Sequence, residues 1–171
     1  QAGAVIISGT FQGTTDFDPG PSTVNLTAVG TSDLFIEKLD TAGNFVWVKA
    51  VEVSGGDIDG YELTLDNMSN IYVTGRFQGT ADFDPGPTAV SLVSSGSWDG
   101  FILKLNSSGN YLLATSIGDV GYDEITSVEI DGAGNMYAYG HFSNTVHFYP
   151  PSGPIYSSNG SVDQFLMKLD A

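Results

Sequence analysis

A long internal repeat limits what this chain can fold into more than any other feature of its sequence. The segment Gly9–Pro21 (GTFQGTTDFDPGP) recurs almost unchanged as Gly75–Pro87 (GRFQGTADFDPGP), and a diverged third copy begins at Gly140. The three starts lie 66 and 65 residues apart. Similarity at a fixed spacing of this size is typical of one structural unit stacked several times. We predict one array over residues 1–171, with repeats at 9–74 and 75–139, a partial repeat at 140–171, and residues 1–8 as the strand that ends a preceding repeat.

A second pattern keeps step with the first and indicates β-strands. The segments Asp33–Asp40, Asp99–Asn106 and Asp163–Asp170 share a common sequence whose side chains alternate between two faces. The turn Asp40–Asn44 (DTAGN) and its counterparts, with Asp or Asn first and Gly fourth, favour a type I turn followed by a residue at positive φ. No segment has a long helical period. We therefore predict an all-β chain with four antiparallel strands in about 65 residues, joined by hairpins and one long Phe-Asp-Pro-Gly loop.

These motifs carry a resemblance to a known family. The segment Asp131–Gly140 (DGAGNMYAYG), the strand Asp99–Asn106 and the hydrophobic strand that follows it resemble the bacterial β-propeller repeat family called SBBP. The resemblance covers nearly the whole chain and rests on structural motifs. It implies four-stranded blades of the kind found on secreted or surface proteins of bacteria, with the Phe-Asp-Pro-Gly loop as an insertion.

The predicted strand count does not make a closed ring. If the first long strand is the second of a blade and the last is the third, the chain holds ten strands, or about two and a half repeats. Propellers close with about four to eight blades, so we predict propeller-like four-stranded antiparallel blades that are not closed within one chain. Unpaired strand edges leave three alternatives: an excerpt of a larger protein, a homo-oligomer, or a polymer whose neighbours cover the edges head to tail.

Charge and composition exclude several classes of partner. Twenty Asp and Glu oppose five Lys and Arg, a formal net charge of -15, which disfavours nucleic acid and anionic lipid. No apolar run approaches the length of a membrane span. Cations, cationic partners and neutral ligands such as glycans are compatible with this negative charge. With no cysteine in the chain, thiolate metal sites and disulfides are excluded.

The Phe-Asp-Pro-Gly segments hold the strongest candidate metal ligands. In extended chain, residues i and i+2 point to the same side, so each Asp-Phe-Asp presents two carboxylates together. Paired carboxylates beside backbone carbonyls suit Ca²⁺, while the alternative role is to accept the N–H groups of the loop. In the third copy His147, Tyr149 and Pro151 replace the two Asp and the Gly. The candidate ligands are Asp16, Asp18, Asp82 and Asp84.

Two further sets of charged residues recur with the repeat. An acidic cluster before the first strand of a blade gives weaker calcium candidates, with a solvated loop as the alternative. A Lys at one strand position in each repeat is expected to be partly buried and to pair with the Asp at the head of the same strand type. The weaker metal candidates are Asp57, Asp59, Asp119 and Asp123. The predicted ion pairs involve Lys38, Lys104 and Lys168 with Asp33, Asp99 and Asp163.

No catalytic set is evident in the sequence. Both histidines, His141 and His147, lie in the diverged copy, and the acids recur with the repeat, which indicates architecture rather than a single active site. Trp47, Trp98 and Tyr61 could stack on sugars, with packing between strands as the alternative. We predict a non-enzymatic structural protein, extracellular or on the cell surface, that binds copies of itself end to end with Ca²⁺ at its Asp-rich loops. The alternative is a glycan- or protein-binding fragment of a larger surface propeller.

Overall fold

The computed structural model describes residues 3–148 and 153–170, and they form an all-β protein. Ten strands have seven to ten residues and six have three. The long strands are β1 (Val5–Phe11), β4 (Asp33–Leu39), β5 (Phe45–Ser54), β6 (Ile58–Leu65), β7 (Ile71–Phe77), β10 (Asp99–Leu105), β11 (Tyr111–Ile117), β12 (Asp123–Ile130), β13 (Met136–Phe142) and β16 (Asp163–Leu169). The short ones are β2 (Thr14–Asp16), β3 (Asn25–Thr27), β8 (Thr80–Asp82), β9 (Ser91–Val93), β14 (Thr145–His147) and β15 (Ile155–Ser157).

The ten long strands form three antiparallel sheets, which we call blades. Blade 2 is complete, with the order β6-β7-β10-β11. Blade 1 holds β1-β4-β5 and blade 3 holds β12-β13-β16, so within the described residues each lacks one outer strand. The prediction of propeller-like four-stranded blades that do not close within the chain is confirmed.

The Phe-Asp-Pro-Gly segments differ from the prediction, because each is a short hairpin rather than a plain loop. The three hairpins are β2–β3, β8–β9 and β14–β15. In the second repeat, β8 also pairs with the end of β5, where Glu52 lies opposite Asp82 and Ser54 opposite Thr80. This pairing joins a hairpin of one repeat to a blade of the preceding one. The sequence predicted no strands here because Pro and Gly recur every few residues, and the two strands of each hairpin have only three residues.

Strand pairing explains the recurrence of Gly and Phe in the repeat. In each blade the Gly of the second strand lies opposite the Phe of the third, as Gly75 lies opposite Phe101. A Cβ added at Gly75 would overlap the Asp59 carbonyl oxygen and would lie 2.9 Å from the Phe101 ring. The aromatic ring therefore fills the space that a side chain would take. The other two pairs are Gly9 with Phe35 and Gly140 with Phe165.

The blades stack face to face and enclose two apolar cores. We call the contact between blades 1 and 2 junction 1 and that between blades 2 and 3 junction 2. Leu34, Ile36 and Val51 of blade 1 pack on Phe77 and Phe101 of blade 2 at junction 1. At junction 2, Tyr72, Ile102 and Ile117 of blade 2 pack on blade 3. Each blade thus has an upstream face, which carries its phenylalanines, and a downstream face, which covers the next blade.

A close contact between blades uses a large and a small residue at both junctions, with the sizes exchanged. At junction 1 a Cβ on Gly60 would lie 2.7 Å from Leu34 Cδ1. At junction 2 the position of Leu34 is held by Gly100, whose added Cβ would lie 2.9 Å from Cγ1 of Ile125, the counterpart of Gly60. The pairing registers place Gly60 opposite Gly75 and Ile125 opposite Gly140, which establishes the equivalence. One large side chain fits between the sheets at each junction.

Candidate functional site

The carboxylates of the Phe-Asp-Pro-Gly segments accept hydrogen bonds from the backbone of their own hairpins. Asp82 Oδ1 accepts the backbone N–H groups of Asp84 at 3.1 Å and Val90 at 2.8 Å, and Asp84 Oδ1 accepts that of Gly86 at 2.8 Å. Asp16 and Asp18 make the same contacts in the first repeat. N–H donation from Val24 and Asp18 holds the pKa of Asp16 below its usual value. These contacts match the alternative role considered for these residues, in which the carboxylates accept the N–H groups of their own loop.

No acidic group with the composition of a metal centre assembles in the described part of the chain. Residues 3–148 and 153–170 contain no group of three or more His, Asp or Glu side chains placed to hold an ion. Asp82 and Asp84 do line a cavity of about 230 Å³ that Lys49 of β5 also lines. Two positions of the third copy, Tyr149 and Pro151, lie outside the described residues. Calcium at the four Asp remains a prediction.

The four weaker metal candidates are separated into different contacts. Asp57 accepts the Ser32 hydroxyl at 3.3 Å, and Asp119 accepts the Thr145 hydroxyl at 2.8 Å. Asp59 forms a salt bridge of 2.8 Å with Arg76. Asp123 is fully buried at the head of β12. These residues cap loops and join blades.

The predicted ion pairs are replaced by other contacts. Asp33 is at one end of β4 and Lys38 near the other, so the two side chains leave the same strand far apart. Lys38 Nζ donates to the Ser107 carbonyl of blade 2 at 3.0 Å. Lys104 Nζ lies 5.0 Å from the centre of the Tyr72 ring, and Lys168 forms a 3.0 Å salt bridge with Asp170. Within the described residues, no salt bridge joins Lys38 or Lys104 to Asp33, Asp99 or Asp163.

Arg76 organises a site that the sequence did not predict. Its guanidinium lies 4.4 Å from the Trp98 ring centre, 4.8 Å from that of Tyr122 and 5.7 Å from that of Tyr61. Its charge faces Asp59 and, at 3.6 Å, Glu124 of blade 3. The only sequence signal for this site was that Arg76 lies at a different position of the repeat from the recurring lysines. Two aromatic residues considered as sugar contacts, Trp98 and Tyr61, instead hold this cation.

The outer faces of the terminal blades expose positions that are buried inside the stack. On the downstream side, Leu166 of blade 3 is 74% exposed, whereas its counterpart Ile102 in blade 2 is fully buried. On the upstream side, Ile7 of blade 1 is 39% exposed and its counterpart Val73 is fully buried. A cavity of about 540 Å³ opens on this side. At these positions the terminal blades are exposed to solvent and blade 2 is buried.

The upstream face of blade 1 is already arranged as at a junction. The ring centres of Phe11, Phe17 and Phe35 are separated by 5.3, 6.5 and 4.8 Å. The corresponding distances at junction 1, where the counterparts are Phe77, Phe83 and Phe101, are 5.5, 6.4 and 5.1 Å. One residue departs from the pattern, since Glu37 takes the place of Leu103 on this face. Burial raises the pKa of Glu37, and the carboxylate of Asp18 adds to the shift.

No helix of the described residues is long and apolar enough to cross a membrane.

Comparison with known proteins finds a distant relative. No family model matches the chain. It is 29% identical over 127 residues to an uncharacterized WD repeat-containing protein, L264, of Acanthamoeba polyphaga mimivirus. The match covers 69% of this chain and 9% of that protein, so the chain spans a small part of its relative's length. WD repeats form four-stranded propeller blades. The similarity and the stacked antiparallel sheets agree in describing an all-β repeat protein with propeller-like blades.

Proposed function

We propose that this chain is a non-enzymatic structural module that associates end to end through the outer faces of its terminal blades. The observation that carries the proposal is the exposure of Leu166 and Ile7 at positions where blade 2 buries Ile102 and Val73 completely. Covering apolar side chains at such positions with another surface lowers the free energy by roughly 25 cal/mol per Å² of apolar area buried. The partner we propose is a second copy of the chain.

A blade of the same kind fits the upstream face of blade 1 because that surface repeats one that a blade already covers. At junction 1 the phenylalanine triad of blade 2 is covered by Leu34, Ile36 and Val51 of blade 1. Blade 3 presents Leu166 at the position of Ile36, on a face that no other part of the described chain covers. Contacts of this head-to-tail type do not close on themselves and generate filaments unless the rotation completes a ring.

The hairpin of the first repeat has an edge that no described strand pairs with. In the second repeat β8 pairs on one side with β9 and on the other with the end of β5. In the first repeat β2 pairs with β3, and no other described strand pairs with it. A strand end like Glu52–Ser54 of a preceding blade would complete the hydrogen bonds of this edge. Glu52–Ser54 belong to the fourth strand of blade 1, and blade 3 has no fourth strand in the described residues, so the contact that we propose between two copies rests on the apolar faces and not on this edge.

The non-enzymatic part of the proposal is supported by how the acidic residues are used. The recurring Asp residues accept hydrogen bonds from loops or join neighbouring blades, and many do so at corresponding positions of the repeat. The relative is named a WD repeat-containing protein, which fits a scaffold built from repeats. An extracellular or cell-surface location and support from Ca²⁺ belong to the same proposal and rest on the sequence pattern.

Sedimentation velocity over a wide range of protein concentration tests the proposal. We expect the wild-type chain to form species larger than a monomer as concentration rises, and Leu166→Asp to weaken this association at least ten-fold. Ile7→Asp is expected to act in the same way from the other end. Leu112→Asp is the matched control, because Leu112 is 46% exposed on β11, outside the two terminal faces.

Three outcomes would contradict self-association. One is a wild-type chain that stays monomeric throughout the range, and another is an equal effect of Leu112→Asp and Leu166→Asp. The third is a monomer that binds immobilised glycans, which would support the alternative of a ligand-binding module. Repeating the run with Ca²⁺ and with a chelator tests the metal separately, and an unchanged assembly would count against calcium support.

A further inference from the structure

Two buried carboxylates at junction 2 each have one oxygen without a hydrogen-bond donor. Asp99 of β10 is 3% exposed and Asp123 of β12 is fully buried. In each, Oδ2 accepts a backbone N–H, from Ser95 at 3.0 Å and from Asp119 at 3.1 Å. The Oδ1 atoms of both are buried and have no hydrogen-bond partner in the described residues. An ionised carboxylate oxygen without a donor is costly to bury.

Junction 1 has a single carboxylate at the corresponding positions, and each of its two oxygens accepts a hydrogen bond. Asp33, the counterpart of Asp99, accepts the N–H of Val29 at 2.8 Å on Oδ2 and that of Val53 at 2.9 Å on Oδ1. The position of Asp123 is held by Ile58, since the two residues lie opposite the corresponding phenylalanines of their blades. Junction 1 therefore buries one satisfied carboxylate where junction 2 buries two that are not.

Asp123 accepts the backbone N–H that would otherwise correspond to the second donor of Asp99. The counterpart of Val53 is Asp119, whose N–H donates to Asp123 instead of Asp99. Gly118 packs directly on the Asp99 carboxyl group, where an added Cβ would overlap Cγ. A proton or an ion would satisfy the two Oδ1 atoms that receive no hydrogen bond.

The charged groups of the surrounding strands do not neutralise the pair. Asp119, which precedes β12, adds a third negative charge, although its carboxylate accepts a hydrogen bond from Thr145. Arg76 of β7 is engaged by Asp59 and Glu124. On blade 3, His141 lies 3.3 Å from the same Glu124, while His147 of β14 contributes a backbone N–H to the Gly118 carbonyl. The described residues provide no salt bridge to Asp99 or Asp123.

We propose that Asp99 and Asp123 form a proton-binding pair that retains a proton while blade 3 is packed on blade 2, so that junction 2 weakens when the proton is lost. A proton satisfies the pair without further ligands, whereas a calcium ion needs six to eight oxygens. Burial raises the pKa of Asp99 to about 6 and that of Asp123 to about 7, and neighbouring carboxylates add to both shifts.

The sign of the effect follows from where the proton is held. The folded protein keeps protons on the pair at pH values where the unfolded chain, with its Asp pKa near 3.8, has already lost them. The unfolding free energy therefore falls as pH rises from about 4 to 7 and levels off above this range. Glu37, whose pKa is also raised, contributes with the same sign on blade 1, so the test compares variants rather than a single titration.

Urea unfolding at pH 5 and pH 8, followed by the fluorescence of Trp98 in a Trp47→Phe background, measures this dependence near the pair. We expect the unfolding equilibrium constant of the parent to rise by about 10- to 100-fold between these pH values. Asp123→Asn and Asp99→Asn should each reduce that rise at least five-fold. Asp33→Asn is the matched control, because Asp33 already has two donors, and it should lose stability equally at both pH values.

One measurement on the wild-type protein keeps the proposal open to contradiction even if a variant does not fold, and two further comparisons use the variants. In the wild-type protein, ¹³C NMR of the Asp carboxyl groups should show resonances that titrate between pH 5 and 8, and complete titration of all Asp below pH 5 would overturn the proposal. An equal pH dependence in the parent and both Asn variants would also overturn it. Stabilisation of the wild type by Ca²⁺ at pH 8, lost in both variants, would show that a metal ion occupies the site and not a proton.

Discussion

Junction 1 and junction 2 bring the same positions of the repeat together but stabilise the contact in different ways. At junction 1, Leu34 packs over Gly60, and the buried Asp33 receives two N–H groups. At junction 2, Gly100 lies beneath Ile125, and Arg76 carries a charge between the two blades. The space between sheets is preserved by exchanging large and small residues, while the polar contacts have diverged. The spacing of the blades is therefore a constraint of packing, and the hydrogen bonds and charges adapt to it.

The charged contacts of junction 2 depend on one another. Glu124 accepts the hydroxyl groups of Tyr61 and Tyr122, each at 3.1 Å, and it faces Arg76. Burial, followed by the nearby Glu124 carboxylate, raises the pKa of Tyr61 above its usual value, so this hydroxyl remains a donor. Junction 1 has Thr10 at the position of Arg76 and so has no cation in the place where Arg76 faces Glu124. We therefore expect substitutions at junction 2 to be less additive.

The largest expected effect comes from moving the packing of junction 2 into junction 1. Leu34→Gly removes a fully buried side chain and should lower the unfolding free energy by about 4 kcal/mol. Gly60→Ile alone should cost about 2 kcal/mol, because its Cβ would press against Leu34. In the double variant the introduced isoleucine occupies the space left by Leu34, so we expect its cost to be about 1–2 kcal/mol below the sum of the two single costs. Urea unfolding of all four proteins measures this coupling, and strict additivity would contradict the exchange of sizes.

A smaller effect is expected from removing Arg76, whose position at junction 1 is held by Thr10. Arg76→Ala leaves Asp59 and Glu124 without their cation and empties the space among three aromatic rings, which should cost about 2 kcal/mol. Arg76→Lys keeps the charge but loses the planar stacking, so about half of that cost is expected. Thr10→Ala is the matched control at junction 1 and should change stability by less than about 0.5 kcal/mol. Equal costs for Arg76→Ala and Thr10→Ala in urea unfolding would show that the site contributes nothing specific.

The smallest effect concerns a hairpin that differs between blades 2 and 3. The turn between β6 and β7 places Ser69 at φ 61°, where the turn between β12 and β13 has Gly134 at 89°. Ser69→Gly should raise stability by about 0.5 kcal/mol, since relief of the left-handed strain exceeds the added freedom of the unfolded chain. Gly134→Ser is the reciprocal change and should destabilise by a similar amount or slightly more. Thermal unfolding measures both, and a loss of stability in Ser69→Gly would contradict the strain argument.

Most of the fold was predictable from local patterns, because strands and hairpins depend on nearby residues. The predicted turn formula is confirmed by Gly43, Gly109 and Gly134, all at positive φ. The predicted strand segments 33–40, 99–106 and 163–170 contain β4, β10 and β16. The short hairpins were not predictable from alternation alone, since β8 has three residues and one of its edges is paired with a different repeat.

The candidate site was less predictable, because the partner of each charged group lies in another blade. The lysine at one strand position was expected to meet the Asp at the strand head, but Lys38 reaches the Ser107 carbonyl 69 residues away. Arg76 and Glu124 are likewise separated in sequence and joined only when blade 3 packs on blade 2. A pattern within one repeat contains no information about which face a neighbouring blade will cover.

By itself the sequence determined that the chain is β-structured, that it repeats, and where its main strands and turns fall, since these follow from side-chain alternation and turn chemistry. Only the tertiary structure decided which carboxylates gain donors, which cations cross between blades, and which apolar faces remain open. The physical reason is that burial and pairing depend on contacts between repeats. Two copies of nearly the same repeat, such as those holding Asp33 and Asp99, therefore acquire different electrostatic surroundings from the blades stacked against them.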